Sequence, residues 1–175
     1  LRTILMSGTA MWELGCYINS VAGWSAPMTA RKSQNWYGEG IRFECQGSGK
    51  CCVSRGQYGY VYLNKKDRQR MAKVLGVSTQ LFTRNFCSKT EGFFHLREDK
   101  SSKNCLFLKK NQCSVYEGRP TQCRTWPFWP ELMNAKSWKK DVVGFCPGVG
   151  KGRLYKPEEI KKIVSEQTHS EQTMS

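Results

Sequence analysis

A chain of 175 residues that is 39% hydrophobic and 24% charged can bury a core of its own and does not have the composition of a disordered chain. Twenty-eight Lys and Arg against 14 Asp and Glu leave a formal charge of +14, a surface that attracts nucleic acid, acidic proteins or other anions without selecting among them. No run approaches the roughly 18 apolar residues of a membrane-spanning helix, so no membrane partner is expected.

Residues 1–40 read as an N-terminal extension. Arg2 lies near the start, but Glu13 and scattered Gly and Ser interrupt any apolar stretch, so no secretory signal is read. Met28 reads as a credible start, which leaves Cys16 out of the site. Without export the compartment is the reducing cytoplasm, where thiols stay free or bind metal.

Residues 41–156 read as the folded domain. Tyr58 to Leu63 is rich in Tyr and Val and suits a strand. Asn64 caps a helix from Lys65 to Leu75 that Gly76 stops, and Ser78 opens a second helix over "TQLFTRNF". "GFFHLRE" alternates as a strand. "CLFL" and "CSVYE" flank "KKNQ" as a hairpin with Cys105 and Cys113 at its outer ends. Pro120 begins a short helix whose first turn carries Cys123. An aromatic segment with Trp126, Phe128, Trp129 and Trp138 follows. It reads as core packing near the cysteines, with a substrate or partner groove as the other reading. "GFCPGVGKGR" reads as a glycine-rich loop around Cys146. Residues 157–175 read as a final amphipathic helix, "KPEEIKKIVSEQ", and a disordered polar tail.

Nine cysteines are odd for a complete disulfide framework. Eight of them, Cys45, Cys51, Cys52, Cys87, Cys105, Cys113, Cys123 and Cys146, recur beside glycines or turns. Adjacent Cys51 and Cys52 are poor partners for each other, because a bridge between neighbours is strained. They suit two thiolates directed into one site or into two sites side by side. Arg119, Arg124 and the helix N-terminus are expected to favour the thiolate of Cys123. Soft sulfur donors select zinc, iron–sulfur clusters or Cu(I) over Mg²⁺ and Ca²⁺. A disulfide scaffold and buried or redox thiols are the competing readings.

Other features stay ordinary. His95 reads as a packed or surface residue, since no second histidine stands near it. Lys65, Lys66, Arg68, Arg70 and Lys73 could track phosphates, and Tyr58, Tyr60 and Tyr62 could stack on bases. A solvated helix face and one face of a strand are the commoner accounts of such patterns. The chain has no P-loop, H-E-x-x-H or G-x-G-x-x-G spacing, and no catalytic residue is assigned.

"FECQGSGKCC", "CLFLKKNQCSVYEGRPTQCRTWPFWP" and "FCPGVGKG" together resemble the YkgJ-type cysteine-cluster proteins, a family described as a zinc- or iron-chelating domain. Cys105 to Cys123 carries that family's C…C-x-x-Y-x-x-R-P-x-x-C order. The family's C-x-x-C-G-x-C-C pattern is broken here by Ser48, and Cys87 is the candidate to supply the missing sulfur. The resemblance implies zinc or iron, the latter as an ion or an iron–sulfur cluster.

The expected fold is a small, irregular, loop-rich α+β domain stapled by thiolate–metal bonds. All eight cysteines are candidate ligands. Arg119 is expected to support them, by fixing the Cys123 helix or offsetting thiolate charge. The expected role is metal binding. A basic nucleic-acid-binding module and an iron–sulfur redox or group-transfer enzyme stand as alternatives.

Overall fold

Two side chains start the first two helices of the computed structural model, which describes residues 35–53, 60–102 and 104–174, within the unit Gln34–Ser175. Asn64 Oδ1 accepts from the backbone N–H of Asp67 at the start of α1 (Lys65–Val74), and Ser78 Oγ does the same for Leu81 at the start of α2 (Thr79–Phe86). Each cap satisfies a donor that the first helical turn leaves without a partner. Tyr58 lies outside the described residues. The strand expected to end at Leu63 is reduced to a single antiparallel bridge between Tyr62 and His95.

The strands pair only in twos. β2 (Cys87–Thr90) meets β3 (Phe93–Leu96), and β4 (Leu108–Lys109) meets β5 (Gln112–Cys113). Both hairpins turn through two residues at positive φ, Glu91–Gly92 and Lys110–Asn111, whose twist matches that of the flanking strands. The third pair joins β1 (Ile41–Phe43) to β6 (Val149–Tyr155). With the short helices, these pairs form a small α+β domain.

Two apolar cores result. One gathers Leu63, Met71, Phe82, Leu96, Phe107 and Val115 from α1, α2 and the hairpins. The other gathers Tyr37, Phe43, Phe128, Trp138, Val142 and Ile160. Trp126 and Trp129 pack against this second core, partly buried. Trp138 opens a π-helical turn, Trp138–Val143, that follows the short helix α4 (Ala135–Ser137).

The glycine-rich stretch after Cys146 is strand β6, and not the loop expected from its composition. A side chain at Gly148 would place its Cβ 2.3 Å from the carbonyl oxygen of Glu44. Glycine there lets the chain approach close enough to pair with β1, and β6 bulges between Val149 and Leu154 to keep register.

The polar tail also departs from expectation. Helix α5 runs from Pro157 to Gln172, with Gln167 and Ser170 buried. Its polar side chains have partners inside the fold: Thr125 Oγ1 donates to Gln167 (2.7 Å) and Asn64 Nδ2 to Ser170 (3.0 Å), while Arg124 pairs with Glu166. These contacts keep as helix a segment whose composition suggests a coil.

His95 is buried. Its Nδ1 lies 2.9 Å from the Leu96 carbonyl and its Nε2 3.0 Å from Thr90 Oγ1, and Tyr60 stacks on the ring at 3.8 Å. Both nitrogens are engaged, which is the behaviour of a packed histidine.

Candidate metal centre

Three separate segments bring six cysteines around two neighbouring cavities. The first segment contributes Cys45, Cys51 and Cys52. Gly49, at φ 67°, turns the chain into the 3₁₀ turn Lys50–Cys52. The backbone N–H of Cys105 donates to the Cys52 carbonyl (2.9 Å), which fastens the first segment to the second. Cys113, also on that second segment, lies in β5 just past the tight hairpin turn, and not at the outer end expected for it. The third is α3 (Thr121–Thr125), which carries Cys123.

A cavity of about 360 Å³ and one of about 280 Å³ share a wall made by Cys51, Cys52, Cys105 and Cys123 together with Leu96. Cys45, Cys113 and Arg119 face the smaller cavity only. The Sγ atoms of Cys51 and Cys52 are 4.0 Å apart. Two thiolates at about 2.3 Å from one tetrahedral ion stand about 3.8 Å apart, so this pair already has the separation of two ligands of one metal. Among the described residues, no set of three His, Cys, Asp or Glu donors is drawn in to full metal-ligand geometry.

α3 is aimed by α1. Asp67, with none of its surface exposed, accepts from the backbone N–H and the Oγ1 of Thr121 (2.9 and 2.8 Å). It thereby caps a helix whose own N-cap is Pro120, which has no side-chain oxygen. Arg70 donates both to Asp67 and to the Arg119 carbonyl. The expectation that Pro120 is the first helical residue is shifted by one place.

Arg119 stands beside the cluster. Its Nε donates to the Tyr116 carbonyl (2.9 Å), and its guanidinium lies 3.4 Å above the Tyr116 ring. Its charge draws down the thiols of Cys113 and Cys123, but burial outweighs it and both stand above the ordinary thiol range. The thiolate expected at Cys123 is therefore not what the fold favours. Arg124 turns instead to Glu166, and the surrounding protein pushes the Cys123 thiol well up although part of its surface opens onto the cavities. Burial likewise raises Cys105, while Cys52 is raised first by its contact with Cys51 and then by burial.

Cys87 and Cys146 are not brought to the cavities. Cys87 is 4% exposed in the first core, and burial pushes its thiol up to about 11 against the nearby charges of Arg68 and Arg97. Cys146 packs against the second core. Ser48 is exposed and lines neither cavity, and Cys16 lies outside the described residues. None of the eight described cysteines is joined to another by a disulfide.

Residues 44–147 match the model of the CxxCxxCC family, described as a "putative zinc- or iron-chelating domain". The chain belongs to the CxxCxxCC family. No solved structure matches it. Within this CxxCxxCC domain, the residues that sequence reasoning passed over are Asp67 and Asn111. Asp67 is the third helical residue after a capping Asn, a pattern that locates it in a first turn but does not reveal its distant partner Thr121.

Asn111 matters through its backbone. A Cβ on Gly49 would meet the Asn111 carbonyl oxygen at 2.7 Å, whereas one on Gly47, also at positive φ, meets nothing within 4 Å. Both alanine variants carry the left-handed strain of about 1–2 kcal/mol. Only Gly49→Ala must also displace the Cys45–Cys52 loop from the hairpin. Gly49→Ala is expected to weaken metal binding at least tenfold relative to Gly47→Ala in a competition titration with a chromophoric chelator.

Proposed function

We propose that Cys45, Cys51, Cys52, Cys105, Cys113 and Cys123 hold zinc or iron as thiolates, with Arg119 offsetting part of their charge. The observation that carries this reading is the convergence of three cysteine segments on one shared wall, with Cys51 and Cys52 at the separation of paired ligands. The donor set suits a closed zinc site or an iron–sulfur cluster. Six sulfurs exceed one four-sulfur shell, which leaves two for a second ion or for a bridged centre. Such thiols remain available in a reducing compartment, and the cytoplasm is the setting proposed. Elemental analysis and an absorption spectrum of protein purified without oxygen test it. Zinc without colour, or iron with sulfide-to-iron charge-transfer bands, supports the reading. Protein that takes up neither metal overturns it.

The electrostatics give the sign of the pH dependence. The thiols of Cys52, Cys105, Cys113 and Cys123 all stand above their ordinary range, so metal must displace a proton from each ligand it takes. Lower pH strengthens the competing protons. Affinity is therefore expected to fall from about pH 8 to about pH 6 by about tenfold per pH unit for each proton released. A flat profile in a metal-competition titration would show that these thiols are not the ligands.

A further inference from the structure

Beside the cysteine wall stands an oxygen donor that the sulfur assignment leaves unused. Glu98 and Cys105 face one another in an isolated antiparallel bridge, so their side chains leave the backbone on the same side, with Cβ atoms about 4.5–5.5 Å apart. Both line the larger cavity. A tight turn holds this register. The Asp99 N–H donates to the Asn104 carbonyl (2.8 Å), and the Asp99 carboxylate accepts from the backbone N–H groups of Ser101 and Ser102 (3.1 and 2.8 Å) and from both hydroxyls. Through the bond from the Cys105 N–H to the Cys52 carbonyl, Glu98 is also tied to the Lys50–Cys52 turn.

Glu98 is half-buried and has no ion-pair partner among the described residues. Arg97 lines the same cavity, but its Nε, Nη1 and Nη2 donate to the backbone carbonyls of Cys87, Asn85 and Arg84 respectively. Arg119 faces only the smaller cavity. A carboxylate beside thiolates is repelled by them unless a cation stands between, and neither arginine supplies that cation. Two further carboxylates of the lining, Glu131 and Asp141, come from the Pro130–Leu132 turn and the π-helical turn, whose apolar residues pack into the second core. Glu98 is the one set opposite a cysteine by backbone pairing.

We propose that Glu98 is a metal ligand in addition to the cysteines, an oxygen donor to an ion that Cys105 also holds. This rests on the thiolate reading above and adds to it that the ion on the side of the larger cavity has a mixed sulfur and oxygen shell. Zinc takes carboxylate oxygen at about 2.0–2.2 Å beside thiolate sulfur at about 2.3 Å. The oxygen donor also tilts the set toward zinc or ferrous iron and away from Cu(I), which selects soft sulfur.

X-ray absorption fine structure of the zinc-loaded full chain, read beside a chelator-competition titration with zinc, tests it. Wild type is expected to show oxygen neighbours at about 2.0–2.2 Å together with sulfur at about 2.3 Å. Glu98→Gln is expected to bind zinc at least about tenfold more weakly, and Glu98→Asp, which keeps a carboxylate, to recover most of that loss. Glu131→Gln removes the same charge from the same cavity and is expected to bind zinc as wild type does. The metal-free chains are expected to melt at the same temperature, which separates ligation from folding. An all-sulfur shell in wild type, wild-type affinity in Glu98→Gln, an equal loss in Glu131→Gln, or a lower melting temperature of metal-free Glu98→Gln would each overturn the role of Glu98 and leave the cysteine assignment standing. A chain that takes up no zinc would also overturn it, and one that takes up neither zinc nor iron would remove the cysteine reading with it.

Discussion

Cys123→Ser is expected to lower metal affinity by more than about a hundredfold, since loss of even an outer-shell partner of a metal ligand costs about 10–100-fold. Cys123 is the one cysteine supplied by α3, and it lies in the wall common to both cavities. A serine there offers an oxygen that soft metals take poorly. Cys87→Ser and Cys146→Ser, which alter thiols in the two apolar cores, are expected to leave metal content near wild type. Elemental analysis of the three variants side by side is the check. A loss in Cys87→Ser as large as in Cys123→Ser would mean that the buried thiol is recruited, and the six-cysteine assignment would fail. Chelation of the wild type is expected to lower its melting temperature to that of Cys123→Ser, because metal binding to such a site is itself folding free energy.

The second large effect concerns Asp67. Replacing it with alanine leaves the buried backbone N–H and hydroxyl of Thr121 without their acceptor. Orphaned buried donors cost about 1–3 kcal/mol each, so a loss of about 3 kcal/mol is expected, near 10 °C in melting temperature for a domain of this size. Thr121→Val removes the hydroxyl but keeps the backbone bond and is expected to cost about half as much. In a double-mutant cycle the two changes should be strongly non-additive. Because the same carboxylate aims α3, Asp67→Ala is also expected to weaken metal binding even though Asp67 touches no cysteine cavity. Unchanged metal affinity in a destabilised variant would confine Asp67 to a structural role.

The parts of this fold legible in the sequence are those governed by neighbours along the chain. The caps at Asn64 and Ser78, and the turn through Lys110 and Asn111, follow from local hydrogen bonds and local φ preferences. What was not legible depends on partners far away. β6 pairs with β1 more than a hundred residues earlier, and its glycines suggest a loop until Glu44 is seen beside Gly148. The end of α5 is polar in composition, and only its contacts with Asn64, Arg124 and Thr125 show why it stays helical. The same distinction holds at the site. Cysteine spacing and the R-P-x-x-C turn were readable, and six of the eight cysteines named from sequence meet around the cavities. The protonation of Cys123 was not readable, because nearby arginines are visible in a sequence and burial is not.

The pairing of β1 with β6 has a practical corollary. The family match covers residues 44–147, yet Ile41 pairs with Tyr155 outside both ends of that segment. Tyr37, Ile41, Phe43 and Ile160, four of the eight buried members of the second core, also lie beyond it. A fragment trimmed to the matched bounds would keep every candidate ligand but lose half of that core, together with the helix that holds Thr125 and Asn64 in place. The segment expected to fold on its own is thus longer than the matched segment and runs from about Trp36 to Gln172. Peptides cut closer than that would report the chemistry of loose thiols, not of the clasped domain.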